Sequence, residues 1–205
     1  MHAVMHAVIL DIDGTLLSSN EVDDSLYLAA VRRVLGQVKV RESCSLYRNV
    51  TDGGILHEIL SDNSLTHSAA TLTAVRDIFV ESIRQHIERA GPFIEIPGAR
   101  EFVAGLRASN SYRVAYATGG WSASACVKLE SAQFPRGIPL ASSDDYPDRE
   151  SIMVHALKQL GGEFQSVTYY GDGVWDKVAT RNLGWKFVAV GSELGGLLRF
   201  KPFGT

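Results

Sequence analysis

The sequence predicts an α/β protein: a parallel sheet flanked by helices, with a small all-helical domain inserted after the first strand. Three observations carry that prediction. A short apolar run near the N-terminus has the length of a buried strand. From about residue 18 to residue 95 the periodicity is helical, with no convincing strand. Beyond that, strand-like and helix-like segments alternate, as they do in a parallel sheet wrapped by helices.

Val4 to Leu10 is the apolar run, and it suits a strand buried on both faces. "DDSLYLAAVRRVLG" then has acids in its first turn, apolar residues at helical spacing and Gly36 as a stop signal. "TLTAVRDIFVESIRQHIERAG" places Leu72, Val75, Phe79, Ile83 and Ile87 on one face and ends at Gly91-Pro92. His86 falls near that stripe and reads as a packed residue. The later segments alternate: "AREFVAGLRA" helix, "YRVAYAT" strand, "WSASACVKLESAQF" helix, "IPLASS" short strand. "RESIMVHALKQLGG" is again helical, "SVTYYGD" a strand, "VWDKVATRNLG" a helix and "KFVAVG" a strand. Residues 1–17 and 96–205 therefore form the α/β core, and 18–95 the insert, with "SSNEVD" and "GPFIEIPG" as its linkers.

Composition narrows the function classes. The hydrophobic fraction of 45% can bury a sizeable core. Twenty basic residues against 23 acidic ones give a net charge of -3, with no basic excess to suggest nucleic acid. Only Cys44 and Cys126 are cysteines, too few for a disulfide framework, so a cytoplasmic location is expected. No apolar run reaches bilayer length, and "MHAVMHAVIL" lacks the charged region and cleavage site of a signal peptide. The repeated "MHAV" leaves Met1 and Met5 both open as the start.

In a parallel sheet, ligands sit beyond the carboxyl ends of the strands. The first strand runs into Asp11 and Asp13. If the strand persists to its tip, both carboxyls point to one side and repel unless something separates them. The pair is then either a solvated acidic turn or a site that needs a cation. The next strand ends in Thr118-Gly119-Gly120, and a later one in Gly171-Asp172-Gly173 with Asp176 one helical turn on. Taken alone, Thr118 also fits a helix N-cap and Asp176 a capping carboxylate.

"DIDGT", then "ATGG", then "YYGDGVWD", in that order, resemble the haloacid dehalogenase superfamily, whose commonest members are phosphatases. The resemblance spans the chain and implies a Rossmann-like core with a helical cap. It implies that Asp11 is a nucleophile forming an aspartyl-phosphate. It makes Asp13 the general acid and then the base, with its carboxyl group kept off the metal. Thr118, Gly119 and Gly120 would bind the phosphoryl group. Asp11, Asp172, the carbonyl of Asp13 and, in support, Asp176 would hold Mg²⁺. Gly14 would let the chain turn, and Thr15 would tie that turn.

The family's third motif is a cation, usually lysine, near the next helix start. Here no lysine precedes that helix, so Arg149 is the candidate, while Lys158 lies well inside the helix and reads as solvated. In the cap, "LYRNVTDGGIL" breaks the helical pattern at Thr51-Asp52-Gly53-Gly54. Arg48 could bind an anionic leaving group and Asp52 could face the site, or the stretch is an ordinary helix start.

The resulting expectation is a Mg²⁺-dependent phosphatase for a small phosphorylated metabolite, a monomer or weak homodimer with no nucleic-acid or membrane partner. A phosphomutase shares the same core residues. A dehalogenase gives Asp13 no duty, and a phosphonatase needs a cap lysine where only Lys39 exists. A phosphate-binding module without catalysis has no need of both aspartates.

Overall fold

The computed structural model describes residues 4–204. Met1, one of the two candidate starts, lies outside the described residues. β1 (His6–Leu10) forms as expected, with every residue after His6 buried. β2 (Tyr112–Ala117), β3 (Leu140–Ala141), β4 (Ser166–Gly171) and β5 (Lys186–Ala189) complete a parallel sheet. Its strand order is β3-β2-β1-β4-β5. The chain builds outward from β1 to β2 and β3, then crosses back to add β4 and β5 on the other side. That reversal at β1 opens a crevice at the carboxyl ends of β1, β2 and β4.

Alternation along the strands divides the core into two layers. Val8, Leu10, Val114 and Tyr116 turn to one face, which α4 (Ala99–Ala108) and α5 (Ser122–Ser131) cover. Ile9, Ala115, Ala117 and Tyr169 turn to the other, beneath α6 (Arg149–Leu160) and α7 (Val174–Asn182). The two helix layers thus approach the strand ends from opposite sides.

The chain between β1 and α4 contains α1 (Asn20–Leu35), α2 (Asp52–Asp62) and α3 (Ala69–Ala90). On α3 the predicted stripe is real: Val75, Phe79 and Ile83 are fully buried, and Leu72 and Ile87 pack at the edge of the same cluster. His86 stacks on Phe93 at 5.2 Å. Phe79 meets Tyr27 of α1 at 5.6 Å and Trp121, the residue before α5, at 6.0 Å. This aromatic contact joins the inserted helices to the face of the sheet that carries α5.

One detail differs from the sequence reading, and one open alternative is decided. α1 begins at Asn20, inside "SSNEVD", which shortens that connection. Thr51-Asp52-Gly53-Gly54 follows the second of its two readings, an ordinary helix start. It starts α2, because the Thr51 hydroxyl accepts the Gly54 N–H at 3.1 Å and caps the first turn. The two connections of the insert run side by side, with Ser18 N–H donating to the Ile94 carbonyl and Ile96 N–H to that of Leu16, each at 2.8 Å.

Candidate active site

β1 ends at Leu10, before either aspartate, so the condition for both carboxyls to share a side fails. Asp11 still runs alongside β4, donating its N–H to the Tyr170 carbonyl at 3.0 Å. After Ile12 the chain turns. Gly14 has φ +72°, and a Cβ there would collide with the Asp172 carboxylate. Glycine is needed both for the turn and for the approach of Asp172. Backbone bonds to the Ile12 carbonyl tie the turn, whereas the buried Thr15 hydroxyl has no partner among the described residues.

Thr118 follows β2 and is 1% exposed. Its hydroxyl accepts the Gly120 N–H at 3.0 Å, and the residue capping α5 is Trp121, so Thr118 shapes the loop instead of capping the helix. A Cβ on Gly119 would stand 2.8 Å from both Arg149 Nη2 and the Val50 carbonyl oxygen. The absence of a side chain at 119 is what admits Arg149 to the crevice. Arg149 is the first residue of α6, just after Asp148, whose carboxylate accepts the Ser151 N–H at 2.8 Å.

Carboxylate oxygens of Asp11, Asp172 and Asp176 lie within 4.8 Å of one another. Arg149 enters this group, Nη1 at 3.1 Å from Asp11 Oδ1 and Nε at 3.3 Å from Asp176 Oδ1. Asp176 is fully buried and also accepts the Gly173 N–H at 3.1 Å, so it caps α7 as well as joining the cluster. Asp172 accepts from Asn20 Nδ2 at 2.8 Å. Burial raises Asp11 well above the usual carboxylate range. Arg149 pulls it down, and Asp176, Asp172 and Asp13 push it up again. Burial, then Asp176, hold Asp172 up at about 6. Burial disfavours charge on Arg149, yet Asp176 and Asp11 keep it firmly protonated. Three carboxylates against one guanidinium leave a formal charge of -3 + 1 = -2 in one small space. An all-oxygen, doubly negative set fits a hard divalent cation.

Asp13 faces other partners. Lys128 of α5 places Nζ 2.6 Å from Asp13 Oδ1 and 2.6 Å from Asp23 Oδ1, and its side chain is 0% exposed. Ser19 Oγ donates to the same Asp13 oxygen at 2.5 Å. Burial raises Asp23 to about 7 against the pull of Lys128. Burial works against the Lys128 charge, but Asp13 and Asp23 raise it further. Neither Lys128 nor Asp23 was expected at the site. A signal was present: Ser124, Ala125, Lys128 and Leu129 are the buried positions of α5, so the lysine falls on the apolar face of the helix.

These groups open into a cleft of about 640 Å³, lined by both parts of the chain. Asp52 reaches it from the start of α2. Its N–H donates to the Gly119 carbonyl at 2.8 Å, and its Oδ2 accepts the Trp121 N–H at 2.9 Å. Arg48 is exposed and absent from the cleft wall, because its segment turns outward to bond Glu58 through the Arg48 N–H. Arg41 lines the cleft in its place, with its guanidinium already held by Glu58 at 2.6 Å and Asp62 at 2.9 Å. Lys39 and Lys158 are exposed and outside the cleft.

The cluster predicts a metal effect on stability. A divalent cation such as Mg²⁺ at about 100 times its Kd should stabilise the fold by about 2.7 kcal/mol, a rise in Tm of roughly 5–10 °C for a chain of this size. Asp172→Asn should abolish most of that rise without lowering the metal-free Tm, since it relieves carboxylate repulsion. Thermal melts with and without cation check this; an undiminished rise in Asp172→Asn contradicts the cluster as the binding site.

The chain matches a family model described as haloacid dehalogenase-like hydrolase over residues 5–184. No curated protein sequence matches it. Among solved structures, a hydrolase from Pseudomonas syringae aligns with a TM-score of 0.71 at 19% identity, over 94% of this chain and 91% of that one. A mutant of CbbY from Rhodobacter sphaeroides, in complex with xylulose-(1,5)bisphosphate, aligns with a TM-score of 0.71 at 16% identity, over 96% and 93%. β-Phosphoglucomutase from Clostridium difficile aligns with a TM-score of 0.69 at 16% identity, over 92% and 86%. At such identities these structures share the fold, and the family rests on the sequence match and the strand-end motifs together. The chain belongs to the haloacid dehalogenase-like hydrolase family.

Proposed function

We propose that the protein is a Mg²⁺-dependent phosphomonoesterase that acts through an aspartyl-phosphate on Asp11. The observation that carries this reading is the separation of the two strand-end aspartates. Asp11 sits with Arg149, Asp172 and Asp176, while Asp13 is held by Lys128 and Ser19. One carboxylate is placed among charges that suit a metal and a phosphoryl group, and the other is kept apart for proton transfer. The phosphorylated ligand of the CbbY structure supports phosphoryl chemistry on this fold.

In this reading an Asp11 oxygen attacks phosphorus, and the P–O bond to the leaving group breaks. Asp13 gives its proton to the departing oxygen, then takes one from the water that hydrolyses the aspartyl-phosphate. The Thr118 hydroxyl and the backbone of Gly119 and Gly120 bind the phosphoryl oxygens, with Arg149 neutralising their charge. Carboxylates of Asp11, Asp172 and Asp176 and the Asp13 carbonyl would hold Mg²⁺. Bound there, the metal supplies charge neutralisation at the phosphoryl oxygens. The inserted helices at 18–95 act as a cap that excludes water and selects the leaving group. The enzyme works in the cytoplasm as a monomer or weak homodimer.

The cleft also bears on the substrate. Its cationic lining residues among those described are Arg41 and Arg149, and both are taken by carboxylates. Asp23 and Asp52 stand on the insert side. A leaving group with a second negative charge, such as one end of a bisphosphate, would meet repulsion and no free cation. The substrate class is therefore a single phosphate ester on a neutral or cationic alcohol.

Two measurements test the proposal. With p-nitrophenyl phosphate, turnover should require Mg²⁺ and fall by roughly 10³-fold or more in Asp11→Asn, as for loss of a nucleophile. Metal-independent turnover, or full activity in Asp11→Asn, contradicts it. In a panel of phosphate esters, neutral sugar or amino-alcohol phosphates should exceed matched carboxylated or bisphosphorylated ones in kcat/KM by about tenfold or more, since one unscreened charge contact of ~1.4 kcal/mol gives that factor. Preference for the doubly anionic members contradicts the class. Transfer of the phosphoryl group to a sugar hydroxyl in place of water would identify a phosphomutase.

A further inference from the structure

We infer that Lys128 is a positioning residue for Asp13, fixing which oxygen of that carboxyl group serves the leaving group; the inference rests on the phosphomonoesterase reading above. Both hydrogen bonds to the Asp13 carboxylate from described residues fall on Oδ1, one from Lys128 Nζ at 2.6 Å and one from Ser19 Oγ at 2.5 Å. A carboxyl group held twice through one oxygen cannot swing or exchange its oxygens freely. The proton it delivers then resides on Oδ2, the oxygen left for the cleft that Asp13 lines. Proton delivery is sensitive to this, because a misplacement of about 1 Å costs on the order of 10²-fold.

A purely structural role is the competing account. Lys128 joins α5 to α1 through Asp23 Oδ1 at 2.6 Å, and such a bridge would account for a buried lysine without reference to catalysis. The two accounts differ over Asp13. A bridge between helices needs only Asp23, whereas the ammonium here is shared at equal distance with Asp13, which follows β1 and belongs to neither helix. Burying an ammonium is expensive, and a single well-placed carboxylate already compensates much of that cost. The contact with Asp13 is the part that the bridge does not require. Lys128 lines no part of the cleft, so it acts through Asp13 and not on substrate.

The test compares two kinds of leaving group. p-Nitrophenolate departs without a proton, whereas an alkoxide such as that of phenethyl phosphate needs one. Lys128→Met, made in an Asp23→Asn background so that the change leaves no second buried carboxylate unpaired, is measured against that background with both esters in Mg²⁺. Positioning predicts that kcat/KM, which reports the step in which the leaving group departs, falls about 10- to 100-fold more for the alkyl ester than for the aryl ester, and that adding Asp13→Asn erases this difference. Ser19→Ala, which removes the other donor to Oδ1 and leaves the buried ammonium in place, should shift the ratio the same way by several-fold. It also carries the test should the lysine variant fail to fold. Equal falls with both esters, or an unmoved ratio in Ser19→Ala, overturn the inference and leave Lys128 a bridge. Absence of Mg²⁺-dependent turnover of either ester by the unmutated protein overturns the phosphomonoesterase reading itself, and this inference with it.

Discussion

Everything at the site depends on how two aspartates at the end of the central strand are kept from sharing one fate. Asp11 is buried and Asp13, two residues on, is partly exposed, and like charges so near in the chain repel. Two cations divide them. Arg149 comes from α6 on one face of the sheet and takes Asp11, and Lys128 comes from α5 on the other and takes Asp13. The strand stops at Leu10, so the backbone turns between the two carboxylates and each meets its own counter-ion. In the proposed mechanism, division of labour follows from this charge pairing more than from sequence spacing.

The sheet order makes that pairing possible. Only at β1, where the chain reverses its direction of building, do helices of both layers border the same crevice. Compensation there is uneven. Around Asp13 one ammonium meets two carboxylates, those of Asp13 and Asp23. Around Asp11 three carboxylates meet one guanidinium, and an excess of negative charge remains. A buried excess of this kind is costly in the folded protein alone. It is the arrangement expected where the missing charge belongs to a bound cation, and it distinguishes this half of the crevice from the Lys128 half.

Much of this was legible in the sequence. The β1 run, the alternation beyond residue 99 and the α3 stripe gave the architecture, since burial imposes periods of 2 and 3.6 that survive in the residue pattern. The acids of the cluster were readable from their places at strand ends, and Arg149 from its place at the start of α6. Lys128 was not, although its position on the buried face of α5 carried a signal. Its residue type points the other way, since lysine is almost never fully buried unless paired, and its partners Asp13 and Asp23 are distant in sequence. The insert was read least well, because its functional side chains are set by tertiary docking. Arg48 and Arg41 are equivalent in the sequence, and only the fold shows one facing solvent and the other committed to Glu58 and Asp62. Likewise Thr51 to Gly54 could be read as an interruption or as a helix start, because a capped helix start and a loop have the same composition.

The central claim is that charge pairing leaves Asp11, and not Asp13, to attack phosphorus. Borohydride trapping tests it most directly. The protein is turned over on a phosphate ester with Mg²⁺, quenched into borohydride, which reduces an acyl phosphate to an alcohol, and mapped by peptide mass spectrometry. The account predicts homoserine at position 11, in amounts that depend on substrate, with Asp13, Asp172 and Asp176 unmodified. Reduction at Asp13, or turnover with no reduced aspartate at any time point, would contradict it.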